Sequence, residues 1–101
     1  MKLNNEFQPI REWADKKGIY QTGDPKTQCV KLIEEVGELA QAILNKDKFK
    51  IEDAIGDCVV VLTNLAHLCN LSIETCIESA YDEIKNRKGK MINGTFVKDN
   101  G

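Results

Sequence analysis

The 101-residue sequence predicts an all-α fold of four helices followed by a short irregular or hairpin tail. Apolar residues recur at spacings of three and four along most of the chain, which is the period of an amphipathic helix. Residues that favour helix starts precede these stretches, and only Pro9 and Pro25 interrupt the chain. No internal repeat or low-complexity linker divides the sequence. We therefore expect one domain over residues 1–101.

The first predicted helix spans residues 4–18, because its apolar side chains follow helical spacing and Gly18 can end it. The second helix is predicted to begin after Asp24, which can cap it with Pro25 in the first turn, and to end near Asn45. Its apolar residues gather in one sector of the helix: Cys29, Ile33, Val36, Ala40 and Ile43.

The third predicted helix covers about residues 49–69 and is apolar on nearly every side from Cys58 onward, so we expect neighbours on several faces. Ser72 can cap a fourth helix that runs to about residue 87. The tail contains Asn93-Gly94 between two short apolar stretches, a pattern typical of a β-hairpin turn.

Composition and charge exclude several classes of protein. The 14 basic and 16 acidic residues give a net charge of -2, which disfavours binding to a nucleic-acid polymer. No apolar run approaches the roughly 20 residues of a membrane span, so no membrane partner is expected. Residues 1–6 lack the apolar core of a secretory signal, which predicts a cytoplasmic protein whose four cysteines are reduced. The cysteine spacing does not suit a zinc site.

Three carboxylates share one face of the second helix, opposite the apolar sector. They belong to Glu34, Glu35 and Glu38, whose spacing makes like charges neighbours that repel each other. A bound cation would neutralise them. The alternative is an ordinary solvated face on which Lys31 pairs with Glu35.

Two further carboxylates, Asp53 and Asp57, lie nearly in line on the third helix and are expected to point toward its apolar surroundings. Buried carboxylates must be protonated, paired or metal-bound. Carboxylate oxygens suit Mg²⁺ or Mn²⁺, and the single histidine does not favour zinc or iron. The alternative is pairing with Lys or Arg from the fourth helix.

The segments Glu34-Glu35-Val36-Gly37-Glu38 and Asp53-Ala54-Ile55-Gly56-Asp57 resemble those of the all-α nucleoside triphosphate pyrophosphohydrolases of the MazG type. In that family an E-x-x-E helix and an E-x-x-D helix face each other and bind magnesium. The resemblance covers about residues 8–98. Its segment order, including the basic stretch at residues 85–90, looks like that of small stand-alone phage and bacterial members.

The resemblance implies metal ligands at Glu35, Glu38 and Asp57. Ala54 stands where the family usually has glutamate, so Asp53, one turn before Asp57, would supply a ligand or the site would have one carboxylate fewer. Glu34 would be a ligand or the base.

The resemblance also implies cleavage of a nucleoside triphosphate between its α and β phosphates, giving the monophosphate and pyrophosphate. Magnesium would neutralise the phosphate oxygens and orient an attacking water, whose proton a carboxylate takes. The sequence does not determine which of Glu34, Glu35 and Glu38 is the general base that takes this proton.

Substrate contacts are expected from cations and amides. A basic cluster near the end of the fourth helix, together with a lysine on the glutamate face, can bind phosphates: Lys31, Lys85, Arg87, Lys88 and Lys90. Capping of the helix dipole is the alternative for each residue in the cluster at the helix end. The family has an amide-bearing position on its last helix, for which Asp82 or Asn86 is the equivalent. Gln28 and Trp13 can contact a base, although a tryptophan at this spacing is more often part of the core.

The resemblance further implies self-association through apolar faces into a dimer or tetramer. A second hypothesis is a non-catalytic protein with the same helices. It would be a helical oligomer that acts as a partner-binding or regulatory subunit, in which Ala54 marks the loss of a metal ligand. Metal-dependent nucleotide binding distinguishes the two.

Overall fold

The computed structural model describes residues 5–99 and confirms a mostly helical fold with a small C-terminal hairpin. Its elements, in chain order, are α1 (Gln8–Lys16), α2 (Ile19–Thr22), α3 (Pro25–Leu44), α4 (Lys48–Leu68), α5 (Ile73–Ile84), β1 (Gly89–Ile92) and β2 (Thr95–Lys98).

The starts of the three long helices are set by side chains that bind free backbone N–H groups. The Asp24 carboxylate accepts a hydrogen bond from the backbone N–H of Thr27 at 2.9 Å. Asp47 and Ser72 make the same type of bond at the starts of α4 and α5. Each bond satisfies a donor that has no partner inside the helix. Their starts were therefore predicted closely, whereas α5 ends at Ile84, earlier than expected.

The predicted first helix corresponds to α1, and a further short helix follows it in the structure. α1 ends at Lys16, and Gly18 takes a left-handed conformation with φ of 82°, which glycine adopts without steric cost. The chain then forms the single turn α2, which the sequence analysis missed because four residues are too few for a periodic pattern. Residue 4, where the prediction began, lies outside the described residues.

α4 is the central helix, since its backbone approaches α1, α2, α3 and α5, as its apolar composition predicted. α3 and α4 form an antiparallel pair with the most extensive contact between elements in residues 5–99. Buried apolar residues of α1, α3 and α4 form a small core: Ala14, Ala42, Ala54, Val61 and Ala66. Most larger apolar side chains remain at least partly exposed in one copy of the chain.

α3 packs on a face that the sequence analysis did not select. The side chains nearest the core are Leu32, Glu35, Leu39 and Ala42, a row about 100° around the helix from the predicted apolar sector. That sector is exposed, with Ile33 at 68% and Val36 at 50%. α3 thus carries two adjacent apolar rows, and α4 covers only one of them.

The hairpin agrees with the turn predicted at Asn93-Gly94. β1 and β2 pair antiparallel, with Met91 opposite Phe96. All eight strand residues are exposed, and the hairpin backbone approaches no other element in the described part of the chain. The remaining tail residues, 100 and 101, lie outside that part.

No single helix within residues 5–99 is long and apolar enough to cross a membrane. Only α4 and α5 taken together reach the required length and composition, and these two helices are bent by 103° at their junction.

Candidate metal centre

Three carboxylates converge where α3 faces the first half of α4. Glu35, Glu38 and Asp57 each offer one oxygen, and these oxygens lie within 4.8 Å of one another. Glu35 and Glu38 are one turn apart on α3, and Asp57 comes from the antiparallel α4. The arrangement follows from the spacing in each helix, because residues three apart share a face and the two faces are packed together.

Glu35 is the buried member of this cluster, with 6% of its surface exposed. One carboxylate oxygen lies 3.3 Å from the Nζ of Lys31. The other, Oε2, is buried and has no hydrogen-bond partner among the described residues. A buried carboxylate oxygen without a donor is costly, so it calls for a cation or a proton.

Asp57 is half-buried on α4, and its environment disfavours the charged form. Burial raises the pKa of Asp57, and the negative charges of Asp53 and Glu35 raise it further. Within residues 5–99, no Lys or Arg nitrogen lies within 4.0 Å of either aspartate, so the alternative of pairing with the fourth helix is not realised there.

Asp53 is exposed, so it does not lie in an apolar interior as expected. It still lines one depression of about 320 Å³ together with Glu38 and Asp57. Ala54, where the family usually has glutamate, lies in the same depression and is 5% exposed. The position of the absent glutamate therefore borders the carboxylate cluster.

Glu34 lies apart from the cluster. Its carboxylate is exposed and faces the Nζ of Lys31 at 3.5 Å. Lys31 therefore contacts two glutamates, and these hydrogen bonds, chiefly the one to Glu35, raise its pKa. The predicted pairing of Lys31 with Glu35 is present, yet it satisfies only one of the two Glu35 oxygens.

A second cavity, of about 360 Å³, adjoins the cluster along α4. Glu35 and Asp57 lie in its wall together with Gln28 and Lys31, two of the predicted substrate-binding residues. Trp13 also lines it and is 48% exposed, so it is not the core residue that its spacing suggested.

The remaining predicted substrate-binding residues lie elsewhere. Asp82 on α5 pairs at 3.2 Å with Lys85, the residue that follows this helix. Asn86, Arg87 and Lys88 line a separate depression, which shares no residue with those around the carboxylates. One copy of the chain thus keeps its basic segment away from its acidic cluster.

The sequence analysis missed two residues near this site, Asn64 and Tyr20. Asn64 is 2% exposed and lines the second cavity. The Tyr20 hydroxyl donates a hydrogen bond to its Oδ1 at 2.8 Å. The available signal was an amide within the otherwise apolar half of α4, on the same line as Asp57.

The donor set consists of carboxylates, one of which has a buried oxygen without a donor. Hard divalent cations prefer oxygen ligands of this kind, so the residues present fit such an ion. Two antiparallel helices that present carboxylates to one point define a class of all-α protein with a candidate divalent-metal site.

Comparison with known families agrees with this class. The family model of the MazG nucleotide pyrophosphohydrolase domain matches residues 24–92, and the chain belongs to this family. The matched segment contains α3, α4, α5 and β1, whereas α1 and α2 precede it. The resemblance seen in the two acidic motifs is thereby confirmed.

One relative is an uncharacterized 18.2 kDa protein in the rep-hol intergenic region of Haemophilus phage HP1 (strain HP1c1). It is 39% identical over 64 residues, which make up 63% of this chain and 39% of the phage protein. No solved structure matches the chain significantly.

Proposed function

We propose that this protein is a magnesium-dependent nucleotide pyrophosphohydrolase that cleaves nucleoside triphosphates to the monophosphate and pyrophosphate. The observation that carries the proposal is the convergence of Glu35, Glu38 and Asp57, with a buried Glu35 oxygen that lacks a donor. Membership of the MazG family supports the reaction class. The proposal treats residues 1–101 as one domain that acts on the nucleotide pool in the cytoplasm.

Glu35, Glu38 and Asp57 would hold the ion, with Asp53 as a further ligand at the rim. Bound Mg²⁺, or Mn²⁺ in its place, would supply positive charge to phosphate oxygens and acidify a water molecule. Ala54 leaves the site one carboxylate short of the usual family pattern. Asp53 is exposed and its side chain is free to turn toward the depression that it lines with Asp57.

The other residues of the cavity suit a substrate anion and its nucleoside. Lys31, at the rim, can exchange one of its two glutamate partners for a phosphate oxygen. Loss of that contact would leave the exposed carboxylate of Glu34, one turn before Glu38 on α3, as the acceptor of a proton from water. Gln28 and Trp13 offer an amide and an aromatic face to the nucleoside.

Self-association into a dimer or tetramer is part of the proposal. Large apolar side chains are exposed on two helices. Ile33 and Val36 belong to the exposed apolar row of α3, here called its outer row, and Ile55 and Leu62 lie on α4. Exposed apolar rows of this extent are typical of interfaces. Within one copy, Lys85 pairs with Asp82, and a separate depression is lined by Asn86, Arg87 and Lys88. To contact the substrate, these basic and amide side chains would have to come from a second copy.

The competing function is the non-catalytic helical oligomer, and one observation favours it. Ala54 replaces a usual ligand at a position that borders the cluster. A site with three converging carboxylates still has enough ligands for an ion that keeps several waters, as Mg²⁺ commonly does. We therefore favour the enzyme.

The test is a screen of the purified 101-residue chain with Mg²⁺ against the common ribo- and deoxyribonucleoside triphosphates and diphosphates. Pyrophosphate, orthophosphate and monophosphate are scored separately. We expect pyrophosphate from at least one triphosphate, and its loss in Glu38→Gln. Exposed Glu78→Gln on α5 removes one charge away from the cluster and serves as the matched control. No metal-dependent release from any nucleotide would refute the enzyme and favour the oligomer.

A further inference from the structure

A polar pair links α2 to the apolar half of α4. Asn64 lies between buried Thr63 and half-buried Leu65, and its amide oxygen accepts the hydrogen bond from the Tyr20 hydroxyl at 2.8 Å. Burial raises the pKa of Tyr20, so the hydroxyl stays protonated and remains the donor of this bond. The Tyr20 ring is in turn stacked on His67, with ring centroids 3.9 Å apart.

This bond determines which part of the Asn64 amide is left for a ligand. Oδ1 is engaged by Tyr20, whereas no protein acceptor is bonded to Nδ2 within residues 5–99. The side chain lines the cavity that it shares with Glu35 and Asp57. Because an amide nitrogen only donates, Asn64 offers a hydrogen-bond donor to that cavity.

The position of Asn64 along α4 separates it from the carboxylate cluster, where the phosphates of the substrate are proposed to bind. It follows Asp57 by seven residues, which places it about 10 Å further along the helix and within about 20° of the same line. The wall of the same cavity also has apolar and aromatic members, among them Trp13, Ile19 and Val60. A planar ring fits such a wall, whereas phosphates belong beside the carboxylates and Lys31.

We propose that Asn64 is a specificity-determining donor that binds an acceptor atom of the nucleobase, a carbonyl oxygen or a ring nitrogen, and that Tyr20 is the positioning residue for its amide. The inference rests on the proposed function, because the base is located relative to phosphates held at the carboxylate cluster. It also gives α2 a role, since this single turn, outside the matched family segment, carries Tyr20.

A purely structural pair would behave differently. If Asn64 only tied α2 to α4, we would expect the donor end of its amide to be bonded to a protein acceptor or to water, because buried polar groups are nearly always satisfied. Here the donor end has no protein acceptor in the described residues and opens on a cavity. This arrangement is typical of a group kept ready for a ligand.

The test compares Asn64→Asp and Tyr20→Phe with the parent chain by calorimetric titration in the presence of Mg²⁺. Asn64→Asp retains an acceptor for Tyr20 and replaces the free donor with an acceptor. Tyr20→Phe keeps the ring on His67 and removes only the hydroxyl. The ligands are non-hydrolysable triphosphates of each common base, ribose 5-triphosphate without a base, and inorganic triphosphate.

We expect Asn64→Asp to weaken binding of the preferred nucleotide about tenfold or more, the scale of one lost hydrogen bond with an unpaired group left behind. Tyr20→Phe should reduce the ratio of affinities between preferred and other bases, with a smaller loss of affinity. Binding of inorganic triphosphate and of ribose 5-triphosphate should change less than twofold in Tyr20→Phe. In Asn64→Asp it should weaken less than nucleotide binding does, because the added charge repels every triphosphate. Circular dichroism shows whether each variant is folded.

Each other outcome overturns the inference. Equal weakening of nucleotide and inorganic triphosphate would place Asn64 on the phosphates. Equal weakening of nucleotide and ribose 5-triphosphate would place it on the sugar, and unchanged affinities would leave it structural. A parent chain that binds neither triphosphates nor nucleotides with Mg²⁺ refutes the proposed function as well, whereas a parent that binds them and variants that do not differ refute this inference alone.

Discussion

Replacing Asp57 with asparagine should stabilise the metal-free protein and remove its response to magnesium. Asp57 faces two glutamates from α3, has no Lys or Arg within 4.0 Å among the described residues, and is half-buried. Its charge is therefore unfavourable until a cation binds. The amide of asparagine keeps the shape, removes the charge and can donate to a neighbouring glutamate oxygen.

The magnitude follows from the separation of the charges. The oxygens of the cluster lie within 4.8 Å of one another, and two unit charges at that limit repel by about 3 kcal/mol at an effective dielectric constant near 20. Glu38 is exposed and Lys31 offsets part of the Glu35 charge, so solvent screening leaves about 1 kcal/mol for the substitution. For a domain of this size, that raises the melting temperature by about 4–8 °C.

Magnesium should stabilise the parent chain more than the Asp57→Asn variant. An ion present at a hundred times its dissociation constant stabilises the folded parent by about 2.7 kcal/mol, because it binds the folded state only. Asp57→Asn should lose most of this gain. Urea unfolding followed by circular dichroism, with and without MgCl₂, measures both quantities at a fixed protein concentration, since self-association also changes stability.

Glu78→Gln is the matched control, because it removes one exposed charge from α5. It should change stability by less than about 0.5 kcal/mol and keep the full magnesium response. The reasoning is wrong if Asp57→Asn destabilises the metal-free chain, or if the variant is stabilised by magnesium as strongly as the parent.

Three further predictions concern the missing ligand, the first turn of α5 and the exposed face of α3. Ala54→Glu should tighten Mg²⁺ binding about tenfold in calorimetry, because it adds a carboxylate to the depression lined by the cluster; unchanged or weaker binding contradicts this. Arg11 donates two hydrogen bonds to Glu74, at 2.8 and 2.6 Å. These bonds lower the pKa of the Glu74 carboxyl group. The pair therefore stabilises the fold above the ordinary glutamate pKa and loses its effect as pH falls through the lowered value, so Glu74→Gln should cost about 1 kcal/mol in urea unfolding at neutral pH and little in strong acid. An equal cost at both pH values would contradict it. Ile33→Glu should shift the sedimentation coefficient toward that of a monomer, whereas an unchanged coefficient would remove the outer row of α3 from the interface.

The helices could be predicted from the sequence because local chemistry determines them. Asp24 and Ser72 mark helix starts through bonds made within a few residues, and Asn93-Gly94 marks the hairpin through its own backbone preference. The face on which α3 packs could not be predicted in the same way. Two apolar rows of similar strength lie side by side on this helix, and only the position of α4 decides which one is buried.

The carboxylate cluster could be predicted in part for a related reason. Spacing within one helix places Glu35 beside Glu38, whereas Asp57 was matched to them through the resemblance to the family motif. The exposure of Asp53 and the contact between Tyr20 and Asn64 depend on how separate elements meet. The contact joins residues 44 positions apart in the chain, which no periodic pattern reports.

Phosphorus NMR of a nucleoside triphosphate mixed with the protein tests the central claim most directly, because it distinguishes cleavage at the first phosphoanhydride bond from cleavage at the second. The account predicts signals of pyrophosphate and a nucleoside monophosphate with the parent chain and Mg²⁺, and none with a chelator or with Glu35→Gln. Appearance of diphosphate and orthophosphate, or equal turnover by Glu35→Gln, would contradict it.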